Sequence, residues 1–433
     1  MQKLVAIVCL LCMWAFQTAA QSDTIRLMHY NLLNYRNSTA QCTNSTNNAD
    51  KKDGYLETIV AHAKPDILTV NEMGANWLNP NKILTNALNT NGVTHFEQAE
   101  FTNNSFSSLT NMLFYNKQKL VLHNQEIISK NLSGANLVRV VDAYTLYVNR
   151  PIDLAKGDTV FMTVFVAHLK AGSTSADQTE RAEMTEAAMD YLKNNHFDHS
   201  YFFTGDFNIQ SSSEQCYQNL TNHSVADIRF YDPKDAPGGW NNNSNYANLH
   251  TQSTHNSDTR GGCFSSGGMD DRFDFVLIGK EVKNNTYRIK YINGSYTALG
   301  QDSRRFNGDV LNPTNNSVPA EVATALYEMS DHLPVFLDLE VQKGDVGIAQ
   351  HKKDEVSISI VAEGNWEIST TSNQKIKTVN LINAMGQTIL DNANTAVENG
   401  FLINTQNLSK SVYFVQIILE SGEVYTKKVF KGN

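Results

Sequence analysis

From residue 23 to about residue 342 the chain repeats one pattern: a short run rich in Val, Ile, Phe and Tyr, a polar break or a helical stretch, then another such run. Side chains of these types fill a pleated, half-buried surface, so the runs predict strands. They cover Ile25–Tyr30, Ile67–Val70, Asn111–Tyr115, Val138–Val148, Thr159–His168, Tyr201–Gly205, Phe273–Ile278 and Val335–Leu339. Helices are predicted near Gly54–Ala63 and over Gln178–Asn194, where Ala182, Met184, Ala187, Ala188 and Leu192 alternate with charges. Strands interleaved with helices bury both kinds of apolar face in layers, which gives an α/β or α+β domain with helices covering sheets. Asn37–Asp50 and Pro233–Asn248, rich in Asn, Ser, Gly and Pro, read as long loops, and Gln301–Ser317 is another.

The two ends of the chain break the pattern. Lys3, the apolar run Leu4–Phe16 and the small residues Thr18-Ala19-Ala20 form a secretory signal over residues 1–20, with a cut expected after Ala20. That run is short for a membrane span, and no other stretch is long and apolar enough, so stable membrane insertion is not expected. After the main domain, 23–342, the polar and charged stretch 343–355 reads as a linker. Residues 356–433 are strand-like throughout, in Ser357–Val361, Lys377–Ile382, Tyr413–Leu419 and Val424–Phe430. Turns fall at Ala384-Met385-Gly386 and Glu420-Ser421-Gly422, which describes a small β-sandwich without clustered His, Asp or Cys.

Composition enters at two points. A non-specific polyanion binder usually carries a basic surface, and the formal net charge of −9 does not advertise one. It does not exclude a phosphate site in which metal ions and a few local cations outweigh distant charge. Of five cysteines, Cys9 and Cys12 leave with the signal. The remaining odd number permits one disulfide and one thiol, expected as Cys216 with Cys263 and a free Cys42.

Chemistry concentrates at strand ends. In Thr204-Gly205-Asp206-Phe207-Asn208, Asp206 and Asn208 stand two apart after an apolar strand and share one face if the chain is extended. A carboxylate there can ligate a hard cation or orient water, and the amide can hold a phosphoryl oxygen. Alone the segment reads equally well as an Asx turn. Met329-Ser330-Asp331-His332-Leu333-Pro334 places adjacent Asp and His before another strand. Asn31, Glu72 and His168 each follow or end a strand, and Asp274 lies among apolar neighbours. A carboxylate in such company is costly unless paired, and an imidazole is its natural partner.

In that order these residues resemble the endonuclease/exonuclease/phosphatase superfamily, which includes deoxyribonuclease I. The resemblance covers about 320 residues and rests on Gly-Asp-Phe-Asn, Ser-Asp-His-Leu-Pro and Pro-Asp-Ile-Leu…Glu. It implies a four-layered α/β sandwich followed, in this chain, by the small all-β sandwich. It implies a divalent cation, Mg²⁺ or else Mn²⁺ or Ca²⁺, with Glu72 as main ligand and Asn31 and Asp331 nearby. It implies that His332, oriented by Asp274, handles a proton or the phosphate, and that Asp206 and Asn208 position water and the phosphoryl group. His168 becomes a second phosphate contact or general acid, and Arg139 matches a phosphate-contacting arginine. Which of Asp206 and His332 is the base stays open. A disulfide near the Gly-Asp-Phe-Asn loop in such proteins agrees with pairing Cys216 and Cys263.

The C-terminal module resembles the sorting domain of type IX secretion, through Val379–Gln387, Leu408–Val415 and Thr426–Phe430. Two departures are the missing Tyr-Pro-Asn-Pro opening and Ser411 where glycine is common. A carbohydrate- or protein-binding sandwich is the alternative. The combined expectation is a monomeric phosphoesterase, secreted or at the cell surface. Nucleic acid is its first-ranked substrate, with a phospholipid diester or a sugar or inositol phosphate behind it. A binding protein that kept the fold and lost turnover is the reading from a different class.

Overall fold

The computed structural model describes residues 23–103, 107–343, 356–360, 365–370, 375–383, 386–391, 401–420 and 424–431. The expected signal, nearly all of the linker, Val361, Ala384-Met385 and Ser421-Gly422 lie outside the described residues. The chain divides into two units between Gly344 and Asp345.

In the first unit, strands run in chain order β1 (Asp23–Tyr35), β2 (Ile67–Gly74), β3 (Phe96–Gln98), β4 (Leu109–Asn116), β5 (Leu120–Lys130), β6 (Asn136–Val148) and β7 (Phe161–His168). They continue with β8 (Ser200–Asp206), β9 (Phe230–Tyr231), β10 (Asp274–Gly279), β11 (Ile289–Tyr291), β12 (Thr297–Ala298) and β13 (Val335–Val341). One sheet has the order β11-β13-β1-β2-β4-β3, with β12 on β13, and the other β5-β6-β7-β8-β10-β9. All pairs are antiparallel except β1 with β2 and β7 with β8.

A parallel pair needs a crossover. The helices Ala49–Ala63 and Ser175–Asn194 supply the two here. The first starts where the Asn48 side chain accepts from Lys51 N–H at 2.8 Å. It stops at Lys64 in a left-handed conformation. Its buried residues Leu56, Ile59, Val60 and Ala63 recur at helical spacing against the first sheet. The second opens with a capping box of Thr174 and Asp177 and buries Met184, Ala187, Ala188 and Leu192 on the second sheet. Between the sheets pack Leu27, Leu146, Val164, Val166, Phe202 and Val276. A fully buried side chain of this kind contributes about 1.5–3 kcal/mol. Helix, sheet, sheet and helix form the four expected layers.

Several elements go beyond the sequence expectation, the longest of them a strand and a helix. Strand β5 is an edge strand with mostly exposed or half-exposed residues, so its polar sequence hides it. The helix Ala320–Met329 follows Pro319 and buries Val322, Leu326 and Met329.

The disulfide differs from the expectation. Cys42 is bonded to Cys263, 221 residues away, with Cα atoms 4.7 Å apart. Among the described residues Cys216 is the free cysteine, and it is buried. It lies on the helix Gln215–Thr221 in the core outside the second sheet, where burial pushes its thiol up to about 12. Cys42 and Cys263 share a separate small cluster with Leu33 and Phe264.

The second unit holds two antiparallel sheets. One contains β14 (Val356–Ile360), β15 (Trp366–Thr370) and β18 (Phe401–Ile403); the other contains β16 (Ile376–Asn383), β17 (Thr388–Asp391), β19 (Val412–Leu419) and β20 (Val424–Phe430). Trp366, Ile368, Val379, Leu381, Tyr413, Val415 and Ile417 form their common core.

Candidate active site

Strand register brings the polar strand ends together. Asn31 sits opposite Asn71 in the parallel pair β1–β2, and Glu72 follows. In the other sheet His168 is opposite Asp206 across β7–β8, and Asp206 is opposite Asp274 across β8–β10. The carboxyl ends of both parallel pairs therefore meet at one place. Asn31 Nδ2 spans the two sheets, donating to Glu72 Oε1 at 3.1 Å and to Asp206 Oδ2 at 2.9 Å. His168 Nε2 lies 3.5 Å from Asp206 Oδ2 and 3.8 Å from Glu72 Oε1.

Glu72 is held in a left-handed backbone conformation, φ 57°, at a register shift in β2. A non-glycine residue keeps such a conformation, at about 1–3 kcal/mol, only where its surroundings impose it. The Asn34 N–H fixes its second oxygen at 2.9 Å.

His332 closes the other side. Its Nδ1 is 2.8 Å from Asp274 Oδ2, and its Nε2 is 3.7 Å from Asp206 Oδ2. Asp274 also accepts from the Thr251 hydroxyl at 2.7 Å. Asp331 Oδ2 accepts from Ser265 N–H at 2.9 Å, while its buried Oδ1 has no hydrogen-bond partner. The Ser330 hydroxyl donates to Asn31 O at 2.8 Å and ties this turn to β1. Asn208, also left-handed at φ 51°, donates from its N–H to Asp206 Oδ1 at 3.0 Å and from Nδ2 to Leu169 O at 3.2 Å.

Burial sets the charges. It lifts the Asp206 carboxyl to about 7, with Asp274 and Glu72 adding to the rise and His332 opposing it. Burial also pulls on His332, but Asp274 and Asp206 outweigh it and hold the imidazole well above its ordinary range. His168 falls well below that range through burial, with Arg139 beside it.

Arg139 lies half-buried beside the cluster, close enough for the charges of Glu72 and Asp206 to act on it. Its guanidinium donates to Leu169 O at 2.7 Å and His168 O at 3.4 Å, so it braces the end of β7. Lys170 and Arg181 are engaged by Asp177 and Glu214.

Several contributors carry no signal in the linear sequence. Gln252 Nε2 lies 2.7 Å from His332 Nε2 and donates to Asp331 Oδ2 at 3.3 Å. Asn71 Oδ1 accepts from Asp206 N–H at 2.9 Å. Buried Lys52, brought to about 7 by burial, donates from Nζ to Leu32 O at 2.8 Å and Leu33 O at 2.7 Å. Only Asn71 had a local cue, as a second polar residue beside Glu72.

A model of the Endonuclease/Exonuclease/phosphatase family matches residues 28–285, more than half of the chain. The chain belongs to this family. A model of the secretion system C-terminal sorting domain matches residues 353–431, so the C-terminal module is of that type and points to secretion or the cell surface. Among solved structures, an endonuclease/exonuclease/phosphatase family protein from Bacteroides thetaiotaomicron is 13% identical, covering 75% of this chain and 100% of that one at a TM-score of 0.47. The human Nocturnin catalytic domain with bound sulfate is 15% identical, covering 74% and 97% at 0.45. D. rerio TDP2 complexed with a single-strand DNA product is 12% identical, covering 74% and 100% at 0.44. No curated protein matches.

Family members generally hydrolyse phosphoester bonds and typically use divalent metals. The residues present suit such an ion. Donor atoms of Glu72, His168 and Asp206 all lie within 4.8 Å of one another. Carboxylate oxygens are the ligands hard cations prefer. Asp331 Oδ1, buried without a hydrogen bond and 4.0 Å from His332 Nε2, offers a further oxygen. Among the described residues no helix is long and apolar enough to cross a membrane.

Proposed function

We propose that the chain is an exported, divalent-cation-dependent phosphodiesterase that hydrolyses nucleic acid. The observation that carries this reading is the meeting of Glu72, His168 and Asp206, with His332 and Asp274 on the facing side. Cleaving a phosphodiester requires an aligned water, neutralised phosphoryl oxygens and help for the leaving group. Glu72, with Asn31 and Asp331 beside it, would hold the divalent cation, which would supply charge neutralisation when bound. Asp206 orients the attacking water. Asn208 holds a phosphoryl oxygen. His332, fixed by Asp274, handles a proton or the phosphate, and His168 serves the leaving oxygen. Arg139, steadied by the carbonyls of His168 and Leu169, offers a cation to the phosphate.

The catalytic unit spans 23–342, behind a signal over 1–20, with a linker over 343–355 and a sorting module over 356–433. A second reading, a phospholipid diesterase, draws on Trp77, which is 70% exposed five residues past Glu72 and beside the exposed Leu78. Incubating the mature protein with plasmid DNA, RNA, sphingomyelin and p-nitrophenyl phosphate, with and without EDTA, separates the readings. The expected result is EDTA-sensitive loss of DNA or RNA. Turnover of sphingomyelin alone would transfer the assignment to lipid, and inertness toward all four would remove it.

A further inference from the structure

The Cys42–Cys263 bridge lies outside the proposed chemistry, yet each loop it joins leads to a hydrogen bond within that chemistry. On one side, β1 ends through Leu33, Asn34 and Arg36, all with left-handed backbone at φ 45°, 49° and 56°. This bend aims Leu33 N–H at Asn31 Oδ1 and Asn34 N–H at Glu72 Oε2, both at 2.9 Å. Bent backbone of this kind persists only under external constraint. The constraint comes from Asn47 Nδ2 on Leu33 O and Asn34 O at 3.1 Å, and from Lys52 beneath. Leu33 itself packs against the two bridged cysteines and Phe264.

On the other side, Ser265 stands two residues past Cys263 and donates its N–H to Asp331 Oδ2 at 2.9 Å. Its carbonyl accepts from the Ser253 hydroxyl at 2.6 Å. The residues just before Ser253 are Gln252, which reaches Asp331 and His332, and Thr251, which holds Asp274. One covalent tie therefore joins the donor on Glu72 to the groups that contact Asp331, His332 and Asp274.

We infer that the Cys42–Cys263 disulfide positions Glu72 and Asp331 for turnover, so that the enzyme reaches full activity only after oxidation. The inference rests on the function proposed above. Closing the bridge removes two protons and two electrons from the thiols. A disulfide-bearing oxidant, protein or small molecule, takes them and leaves as a dithiol. Such oxidants act in exported compartments and not in a reducing cytosol. A chain carrying a sorting module would thus mature after leaving the compartment that holds its own nucleic acid.

The test compares wild type with Cys42→Ala/Cys263→Ala in the full chain, at a temperature where near-ultraviolet circular dichroism shows both folded. The expected result is a kcat lower by ~10–100-fold, the scale of outer-shell changes around a metal site, with KM moving far less. Amide hydrogen exchange at Asn34 and Ser265 should quicken while that in β7 and β8 stays unchanged. If the double variant does not fold, wild type is reduced with dithiothreitol under native conditions, alkylated at both thiols, and measured in the same way. A folded, bridge-free protein with kcat within twofold of wild type and unchanged exchange at Asn34 and Ser265 would overturn the inference. A wild type inert toward every phosphoester would instead overturn the proposed function, and the exchange measurement would still report whether the bridge orders these two amides.

Discussion

The His332 ring has four polar neighbours with different consequences: Asp274 at 2.8 Å, Gln252 at 2.7 Å, Asp206 at 3.7 Å and Asp331 at 4.0 Å. Removing the imidazole leaves Asp274 without its charge partner and the proposed phosphate contact empty. His332→Ala is therefore expected to lower kcat by ~10²-fold or more, the usual scale for a positioned proton-transfer group. A steady-state assay of a folded variant checks this, and a near wild-type rate would remove His332 from its role. Asp142 offers a test on stability. It is buried, accepts from Thr102 Oγ1 at 2.7 Å and Asn111 Nδ2 at 2.9 Å, and burial raises its carboxyl to about 6. An unfolded Asp titrates near ~3.9. Between those values the folded chain keeps a proton that the unfolded chain has released, so stability falls as pH rises from about 4 to about 6. Asp142→Asn should shrink the difference between urea-unfolding free energies at pH 4 and pH 7, by roughly 1–3 kcal/mol. An unaltered difference would show that Asp142 ionises normally.

Among the strands, the parallel pair β7–β8 is the one whose spacing the site depends on most directly. Gly205 sits opposite Ala167, one register step before His168 and Asp206. A Cβ at Gly205 would fall 1.8 Å from Ala167 O, so the strands could not keep their distance. Gly205→Ala should lower stability by about 1–3 kcal/mol or more, as overpacking does, and should also reduce activity by moving Asp206 away from His168. Thermal melting and the phosphodiesterase assay together check it; full activity would mean that the site tolerates a shift of β8. This glycine was visible in the sequence as part of Gly-Asp-Phe-Asn, but its reason was not, because the carbonyl it accommodates lies 38 residues earlier. Strands such as β2 and β10 were legible from their apolar runs. Strand β5 was not, because an edge strand with one solvated face needs few apolar residues.

At the level of the whole molecule the two units have separate hydrophobic cores. Deleting the residues after Lys353 is expected to block export while leaving the purified enzyme's kcat within about twofold, since no proposed site residue lies beyond His332. Export is checked by fractionation and kcat by assay of the purified truncation. Lost activity in a folded truncation would give the second unit a part in substrate binding. EDTA should abolish hydrolysis and excess Mg²⁺ restore it, measured on the substrate that the panel selects. Persistence of activity after exhaustive chelation would contradict the role proposed for Glu72.

The linear sequence determined the layered α/β class, the order of polar strand ends from Asn31 to His332, and the sorting module. These are written in local patterns of strand-forming residues and in short contiguous motifs. Tertiary structure alone decided which cysteines meet, that Gln252 and Lys52 support the site, and that Arg139 also braces the backbone at the end of β7. Those facts depend on register across sheets and on loops brought together over more than two hundred residues, as Cys42 and Cys263 are. No periodicity or motif encodes a contact between segments so far apart, because each is fixed only when both sheets have packed.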